Sequence, residues 1–98
     1  MNIDELINEI IYFYRYFEII ATDNETLIAK EIVCRLENIT FVENLLQKFK
    51  AEMRLKRFMN RTNKKRLYTL LSGLENIRIA LFLDQILEKR IEDKLFNR

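Results

Sequence analysis

The chain has 98 residues, of which 49% are hydrophobic and 33% are charged, with a formal net charge of +2. This length allows one domain with one core, and this composition is typical of a folded domain rather than a disordered segment. The chain has no Pro, one Gly and no His, which disfavours turn-rich β folds and excludes histidine-dependent catalytic and zinc sites.

The chain contains a single cysteine, Cys34, so no disulfide can form within it. That usage is typical of a reducing compartment, and we expect an intracellular, cytoplasmic protein. Asp4 and Glu5 stand where a signal peptide would carry basic residues. The longest apolar runs, at 10–14 and 79–83, are far too short to cross a bilayer. We therefore expect no membrane association.

Helix starts are predicted from an N-cap residue followed three positions later by Glu, an arrangement in which each side chain satisfies a free backbone N–H. A polar break at 60–63 starts a further helix, with Thr62 or Asn63 as its cap. These signals predict an all-α fold, a compact bundle of four to five helices with short capped connections, in a single domain that spans 1–98. The predicted pairs are Asn2 with Glu5, Thr22 with Glu25, Thr40 with Glu43, and Ser72 with Glu75.

The first predicted helix covers about 3–21 and has an apolar stripe with helical spacing. On the opposite side, Tyr12, Tyr16 and Ile19 form a second apolar ridge. Two interpretations stay open: another helix of the same chain covers this ridge, or the ridge is the surface of a homodimer or of another complex. The predicted stripe consists of Ile3, Leu6, Ile7, Ile10, Phe13, Tyr14, Phe17, Ile20 and Ala21.

The second predicted helix covers about 23–37, and the third begins after Thr40. The third helix loses its apolar phase near Arg54, because Lys56 and Arg57 occupy the next two core positions. Either the helix bends there, or its last turns leave the core and bind a partner. Three apolar residues then fall on the opposite side of the helix: Leu55, Phe58 and Met59.

The same region concentrates the positive charge. Segment 47–66 holds nine Lys and Arg and one acid, whereas segment 1–46 holds nine acids and three bases. If the third helix continues, four of the cations share one ridge, which could follow a phosphate backbone. This basic ridge within 48–66 consists of Lys50, Arg54, Arg57 and Arg61, and is extended by Lys64, Lys65 and Arg66.

The last predicted helix covers about 74–96, after a break at Ser72 and Gly73. The first half of this helix is apolar on nearly all sides, which predicts a central position in the bundle. A helix-turn-helix at 68–82 would place Gly73 in its turn, but its recognition helix would be too apolar for a DNA groove.

Three interpretations of the basic ridge stay open. It binds DNA or RNA without sequence preference; it docks on an acidic protein, with Leu55, Phe58 and Met59 as apolar anchors; or it is a solvated face balanced by the acids of the first two helices. We predict nucleic-acid association and keep the protein-interaction module, an accessory subunit or inhibitor of the kind found among small viral and accessory proteins, as the alternative. We expect no enzyme, catalytic residue, metal, cofactor or small-molecule substrate.

Overall fold

A computed structural model of the chain describes residues 1–20, 24–56 and 58–96. The described chain is all-helical and has no β-strand, which confirms the predicted fold class. Its four helices are α1 (Ile3–Tyr16), α2 (Glu25–Arg35), α3 (Ile39–Leu55) and α4 (Arg61–Phe96).

Asparagine side chains cap the N-termini of the helices in the described chain. The Asn2 side chain accepts a hydrogen bond from the Glu5 N–H at 2.8 Å, which confirms the first predicted cap. Asn24 and Asn38 cap α2 and α3 in the same way, each at 3.2 Å, and the Asn60 side chain accepts from the Asn63 N–H at 2.7 Å. The side-chain oxygen of an asparagine therefore caps each of these helices, whereas the sequence analysis predicted mostly Thr or Ser as the caps.

Two of the four predicted cap pairs are wrong, and the helix after the polar break is capped by Asn60 instead of Thr62 or Asn63. Thr40 lies inside the first turn of α3, because Asn38 is the stronger cap. Ser72 lies inside α4, which runs without a break through the Ser72–Gly73 pair. A third predicted cap, Thr22, lies outside the described residues, as does Ala21 of the predicted stripe.

Packing explains why Ser72 and Gly73 do not interrupt α4. Leu70, Leu71 and Leu74 are buried on one side of the continuous helix, and their burial outweighs the weak helix propensity of Ser and Gly. A Cβ atom at Gly73 would lie 3.1 Å from Cδ1 of Leu6. The glycine therefore lets α1 pack closely against α4, a role that its turn propensity did not reveal.

The first helix is shorter than predicted. It ends at Tyr16, and Glu18 adopts a left-handed conformation with φ of 56°. The Glu18 N–H donates to the Arg15 carbonyl at 3.0 Å and the Ile19 N–H to the Tyr14 carbonyl at 2.7 Å. This pair of bonds is the Schellman motif, which satisfies the last carbonyl groups of a helix.

The core lies where the four helices meet. The centre of the Phe49 ring in α3 lies 6.3 Å from the centre of the Phe13 ring and 6.1 Å from the centre of the ring of Phe17, which follows α1. Of the predicted α1 stripe, Ile3 is 52% exposed and does not belong to the core. Every buried residue of α4 precedes Glu75. The buried hydrophobic residues are Leu6, Ile7, Ile10, Ile11, Phe13, Phe17, Ile28, Ile32, Leu36, Val42, Leu45, Leu46, Phe49, Met59, Leu67, Leu70, Leu71 and Leu74.

The last helix is therefore central only in its first half. No residue between 75 and 95 is buried, although Ile77 and Leu81 still pack partly against the core. Beyond Leu81, α4 extends away from the core for about 20 Å. The molecule measures 58 × 27 × 22 Å, and the long dimension is close to the length of α4. The central position expected for the first, apolar half of the last predicted helix is therefore wrong between 77 and 87, because helices of 14, 11 and 17 residues are too short to enclose one of 36.

Candidate functional site

The chain reverses direction inside the basic segment. Helix α3 ends at Leu55, and Lys56 has extended backbone angles, with φ of −84° and ψ of 103°. Arg61 then begins α4. The helix ends where continued winding would have turned Lys56 toward the core, which would require the burial of a charge. The expected single-helix ridge from Lys50 to Arg61 is thus divided between the two arms of a helical hairpin.

Three of the nine cations in segment 47–66 serve the fold. Lys48 pairs with Glu52 at 3.2 Å within α3. The ammonium group of Lys56 donates to the Tyr16 carbonyl at 3.1 Å and lies 3.9 Å from the centre of the Tyr16 ring. It thereby places a positive charge at the C-terminus of α1, where the helix dipole favours one.

Arg66 is the third structural cation. Its guanidinium group donates two hydrogen bonds to the Glu9 carboxylate, at 2.6 and 2.8 Å, and lies 3.6 Å from the centre of the Tyr12 ring. The hydrogen bonds to Glu9 raise the pKa of Arg66 above its ordinary value. The Tyr12 hydroxyl donates to the side-chain oxygen of buried Asn63 at 2.9 Å. These contacts fasten the start of α4 to α1.

The second apolar ridge of α1 is covered largely by its own chain. Tyr12, Tyr16 and Ile19 are each partly buried against the core, and Arg66 and Lys56 lie over the two tyrosine rings. The structure thus favours intramolecular cover over a free partner surface at this ridge.

Five cations of the segment remain open. They are exposed, and no carboxylate of the described chain lies within 4.0 Å of their nitrogen atoms. Arg57, also predicted as part of the ridge, lies outside the described residues. The open cations are Lys50, Arg54, Arg61, Lys64 and Lys65.

The open cations surround one tyrosine. Lys50 and Arg54 of α3 line a groove with Tyr68 and Ser72 of α4. The remaining three line an adjoining hollow with the same Tyr68 and Ser72. Tyr68 is 57% exposed. We define the basic face as the five open cations together with Tyr68.

Sequence reasoning missed Tyr68, although a signal was present. Lys64 and Lys65 lie four and three residues before Tyr68, and Arg61 lies seven before it, which is the spacing of one helix face. The signal was missed because the predicted break at Ser72 assigned this stretch to a short connecting helix.

The basic face contains the N-terminus of α4. The first turn of this helix has no acidic residue and begins with Arg61, although the helix dipole places partial positive charge there and favours anions. The cations add to the dipole instead of offsetting it. The sequence thus departs from ordinary helix design at the position where the field for an incoming anion is strongest.

An ion pair bounds the basic face on the α4 side. Glu75 accepts hydrogen bonds from Arg78, and this interaction, with a smaller contribution from Lys50, lowers the pKa of the Glu75 carboxyl group below its ordinary value. Beyond Glu75 the surface of α4 changes from basic to apolar.

The three predicted apolar anchors separate into two kinds. Leu55, the last residue of α3, is 76% exposed, and Phe58, in the connection between α3 and α4, is 88% exposed. Met59 is only 7% exposed and belongs to the core, so it is not an anchor. The end of α3 at Leu55 explains the difference, because the extended backbone that follows turns Met59 toward the core and leaves Leu55 and Phe58 exposed.

Comparison of the chain with models of protein families, with curated proteins and with solved structures finds no match in any of the three. Among the described residues, no group of three or more His, Cys, Asp or Glu side chains is placed to hold a metal ion. No helix in the described ranges combines the length and the apolarity needed to cross a membrane.

Proposed function

We propose that this protein binds nucleic acid through the basic face, mainly by attraction to phosphates and without reading the base sequence. The observation that carries the proposal is the arrangement of five open cations, from two helices, around one exposed tyrosine. Guanidinium and ammonium groups contact phosphate oxygens in any sequence, so such a surface supplies affinity rather than base discrimination.

The dimensions of the basic face suit a phosphate backbone. On α4 the hollow that contains it is lined from Arg61 to Ser72, which is about 16 Å along the helix axis. Each strand of B-DNA carries about five phosphates over that length. Ser72 lines the same hollow, and serine hydroxyl groups are common phosphate contacts. The hydroxyl group of Thr69 in that hollow donates instead to the Lys65 carbonyl, at 3.0 Å.

Tyr68 favours single strands over duplexes. Its ring stands among the cations and is more than half exposed, which is how proteins that bind single strands combine a charged groove with a stacking platform. In a duplex the bases are already stacked and their faces are inaccessible to the ring. We therefore expect tighter binding to single-stranded DNA or RNA than to a duplex of the same length.

Salt dependence tests the electrostatic part of the proposal. Fluorescence anisotropy with labelled oligothymidine and oligouridine is expected to show affinity falling about 100-fold between 50 and 200 mM salt, because five neutralised phosphates give a log–log slope of about −3.5 on single strands. Absence of binding at the lower salt concentration would contradict the proposal.

A matched pair of charge variants locates the binding surface. Arg54→Glu with Lys64→Glu alters the basic face, whereas Lys30→Glu with Lys89→Glu alters exposed cations elsewhere. Each pair lowers the formal net charge of +2 by four. The first pair is expected to abolish binding and the second to weaken it only slightly. Equal losses would show that total charge, and not the basic face, determines binding.

Substitution of Tyr68 tests stacking separately from charge. Tyr68→Leu is expected to weaken single-strand binding about 5- to 100-fold, since one stacked base contributes about 1–3 kcal/mol. Its affinity for a duplex should not change. Equal effects on both ligands would refute the stacking role without affecting the electrostatic result.

Leu55 and Phe58 support a second candidate function, docking on an acidic protein. Two large apolar side chains that are over three-quarters exposed and lie within four residues of Arg54 in the chain resemble the anchors of a protein interface. The two functions differ in their response to Phe58→Ala, provided that folding is intact. This variant should leave nucleic-acid affinity unchanged within about twofold, whereas it should strongly weaken docking on an acidic protein.

A further inference from the structure

The projecting half of α4 carries a continuous row of exposed apolar side chains. Scattered exposed leucines are ordinary on a protein surface, but a continuous series is not. Members of this apolar row recur every four residues, and each is between 43% and 60% exposed. The apolar row consists of Ile79, Leu83, Leu87, Ile91 and Leu95.

The two sides of the apolar row carry opposite charge. The residues that follow the three central row members form an acidic flank on one side. On the other side, Phe82 and Ile86 precede Leu83 and Leu87, and the residues that precede the last two row members form a basic flank. All five charged members are exposed. The acidic flank is Asp84, Glu88 and Glu92, and the basic flank is Arg90 and Lys94.

This surface matches a second copy of itself. A ridge of side chains spaced by four residues packs into the corresponding groove of another helix at an interaxial angle of about −50°, the commonest class of helix packing. When two identical helices are parallel and related by a two-fold axis along their length, the acidic flank of each faces the basic flank of the other. In an antiparallel pair, each flank would face its own copy and like charges would meet.

We propose that two copies of this chain associate through parallel contact of their α4 apolar rows, centred on Leu87 and oriented by the two flanks. Glu88 of one copy lies about 3 Å along the axis from Arg90 of the other, close enough for an ion pair on each side of the contact. The pairing covers Leu87 and its row neighbours Leu83 and Ile91, each of which is more than half exposed in the single chain.

The apolar contact is tested by sedimentation of the full chain. The protein is expected to convert from monomer to dimer between micromolar and near-millimolar concentration. Leu87→Glu is expected to raise the dissociation constant of the dimer at least about 100-fold, because the contact would then bury two carboxylates. Its helix content by circular dichroism should be unchanged, since Leu87 is 55% exposed in the single chain.

Charge reversal tests the parallel arrangement. Glu88→Arg alone and Arg90→Glu alone each place like charges across both sides of the contact, and each is expected to weaken the dimer about tenfold. A mixture of the two variants should recover the lost affinity as a heterodimer, because each reversed flank then meets its opposite. Lys89→Glu, on the far side of the helix, is the matched control and should not change the dissociation constant.

Three outcomes would overturn the proposal. A monomer at near-millimolar concentration would exclude the association. A dimer unaffected by Leu87→Glu would place the contact on another surface, such as the second apolar ridge of α1. A dimer weakened by Leu87→Glu but not restored in the mixed charge variants would exclude the parallel arrangement.

Discussion

Glu18 is the non-glycine residue of the described chain with a positive φ, 56°. It occupies the left-handed position of the Schellman motif that ends α1, where glycine is the usual residue because a Cβ atom is unfavourable there. The ammonium group of Lys56 caps the preceding Tyr16 carbonyl. The end of α1 is therefore held by contacts that compensate for a strained residue.

Glu18→Gly is expected to stabilise the protein by about 0.5–1 kcal/mol, because it removes the left-handed strain of a residue with a Cβ atom. The free energy of unfolding in urea measures the effect. Glu37→Gly is the control: Glu37 is also exposed and follows a helix, but its φ is not positive, so glycine there should be neutral or destabilising. Stabilisation by both variants would mean that the backbone strain is not the cause.

Partial burial of Tyr14 gives the stability of the protein an alkaline dependence. Burial is the main cause that raises the pKa of Tyr14 above its ordinary value of 10.0, with a smaller opposing effect from Arg35. The unfolded chain therefore ionises this phenol first. Stability from this residue is fully present below pH 10 and decreases as the pH rises through the higher folded-state pKa.

The expected measurement is urea unfolding at neutral and at strongly alkaline pH. Tyr14→Phe should lose less stability on alkalinisation than the unaltered protein, because its side chain cannot ionise. Tyr68→Phe removes an exposed phenol and should behave like the unaltered protein. An alkaline loss of equal size in all three proteins would show that Tyr14 does not contribute.

At the scale of the helix, the first turn of α4 lowers the stability of the protein while it supplies a cation for the proposed binding of nucleic acid. Arg61 lies in the first turn, where the dipole favours an acid. Arg61→Glu is therefore expected to raise the free energy of unfolding by about 0.3–1 kcal/mol and to weaken nucleic-acid binding. Urea unfolding and anisotropy on the same preparations measure both quantities. Lys89→Glu, far from this end, should produce neither change, and a destabilised Arg61→Glu protein would contradict the interpretation.

The sequence predicts the helices better than it predicts where they are interrupted. Capping oxygens and apolar spacing are local signals, and Asn2 and the α1 stripe from Leu6 to Phe17 are recognisable from them alone. Gly73 is different, because its role depends on the distance between α1 and α4. A residue that suits a turn and a residue that allows close packing look identical in sequence.

The candidate site was predictable in composition and not in arrangement. Nine cations in a short segment are visible in the sequence. Their division into structural and open cations depends on partners distant along the chain, such as Glu9 for Arg66, 57 residues apart. Local spacing therefore predicted one ridge, whereas tertiary contacts remove Lys56 and Arg66 from the open set and a contact within α3 removes Lys48.

At the scale of the whole molecule, the apolar composition of α4 suggested a central helix. The hydropathy of a segment indicates that the segment can be buried. It does not indicate whether the other helices of the chain are large enough to cover it. The three shorter helices bury side chains of α4 only up to Leu74 and partly cover Ile77 and Leu81 beyond it. The remainder of α4 stays exposed because the chain has too few other residues to cover it, and not because its own residues are polar.

Removal of residues 88–98 tests this division. The free energy of unfolding is expected to change by less than about 1 kcal/mol, because no residue from 88 to 95 is buried. The truncated chain should also bind single-stranded nucleic acid and lose self-association. Urea unfolding, anisotropy and sedimentation provide the three readouts, and global unfolding of the truncated chain would show that the projection supports the core.

The unbroken path of α4 through Ser72 and Gly73 connects the basic face to the apolar row by a stiff rod instead of a hinge. The two surfaces therefore keep one rotational register. A single residue inserted between Asn76 and Ile79 would turn one surface against the other by about 100° and lengthen the rod by about 1.5 Å. Four inserted residues would nearly restore the angle and increase the distance between the two surfaces by about 6 Å. Comparison of the two insertions therefore shows whether the protein depends on the relative orientation of the two surfaces or on the distance between them.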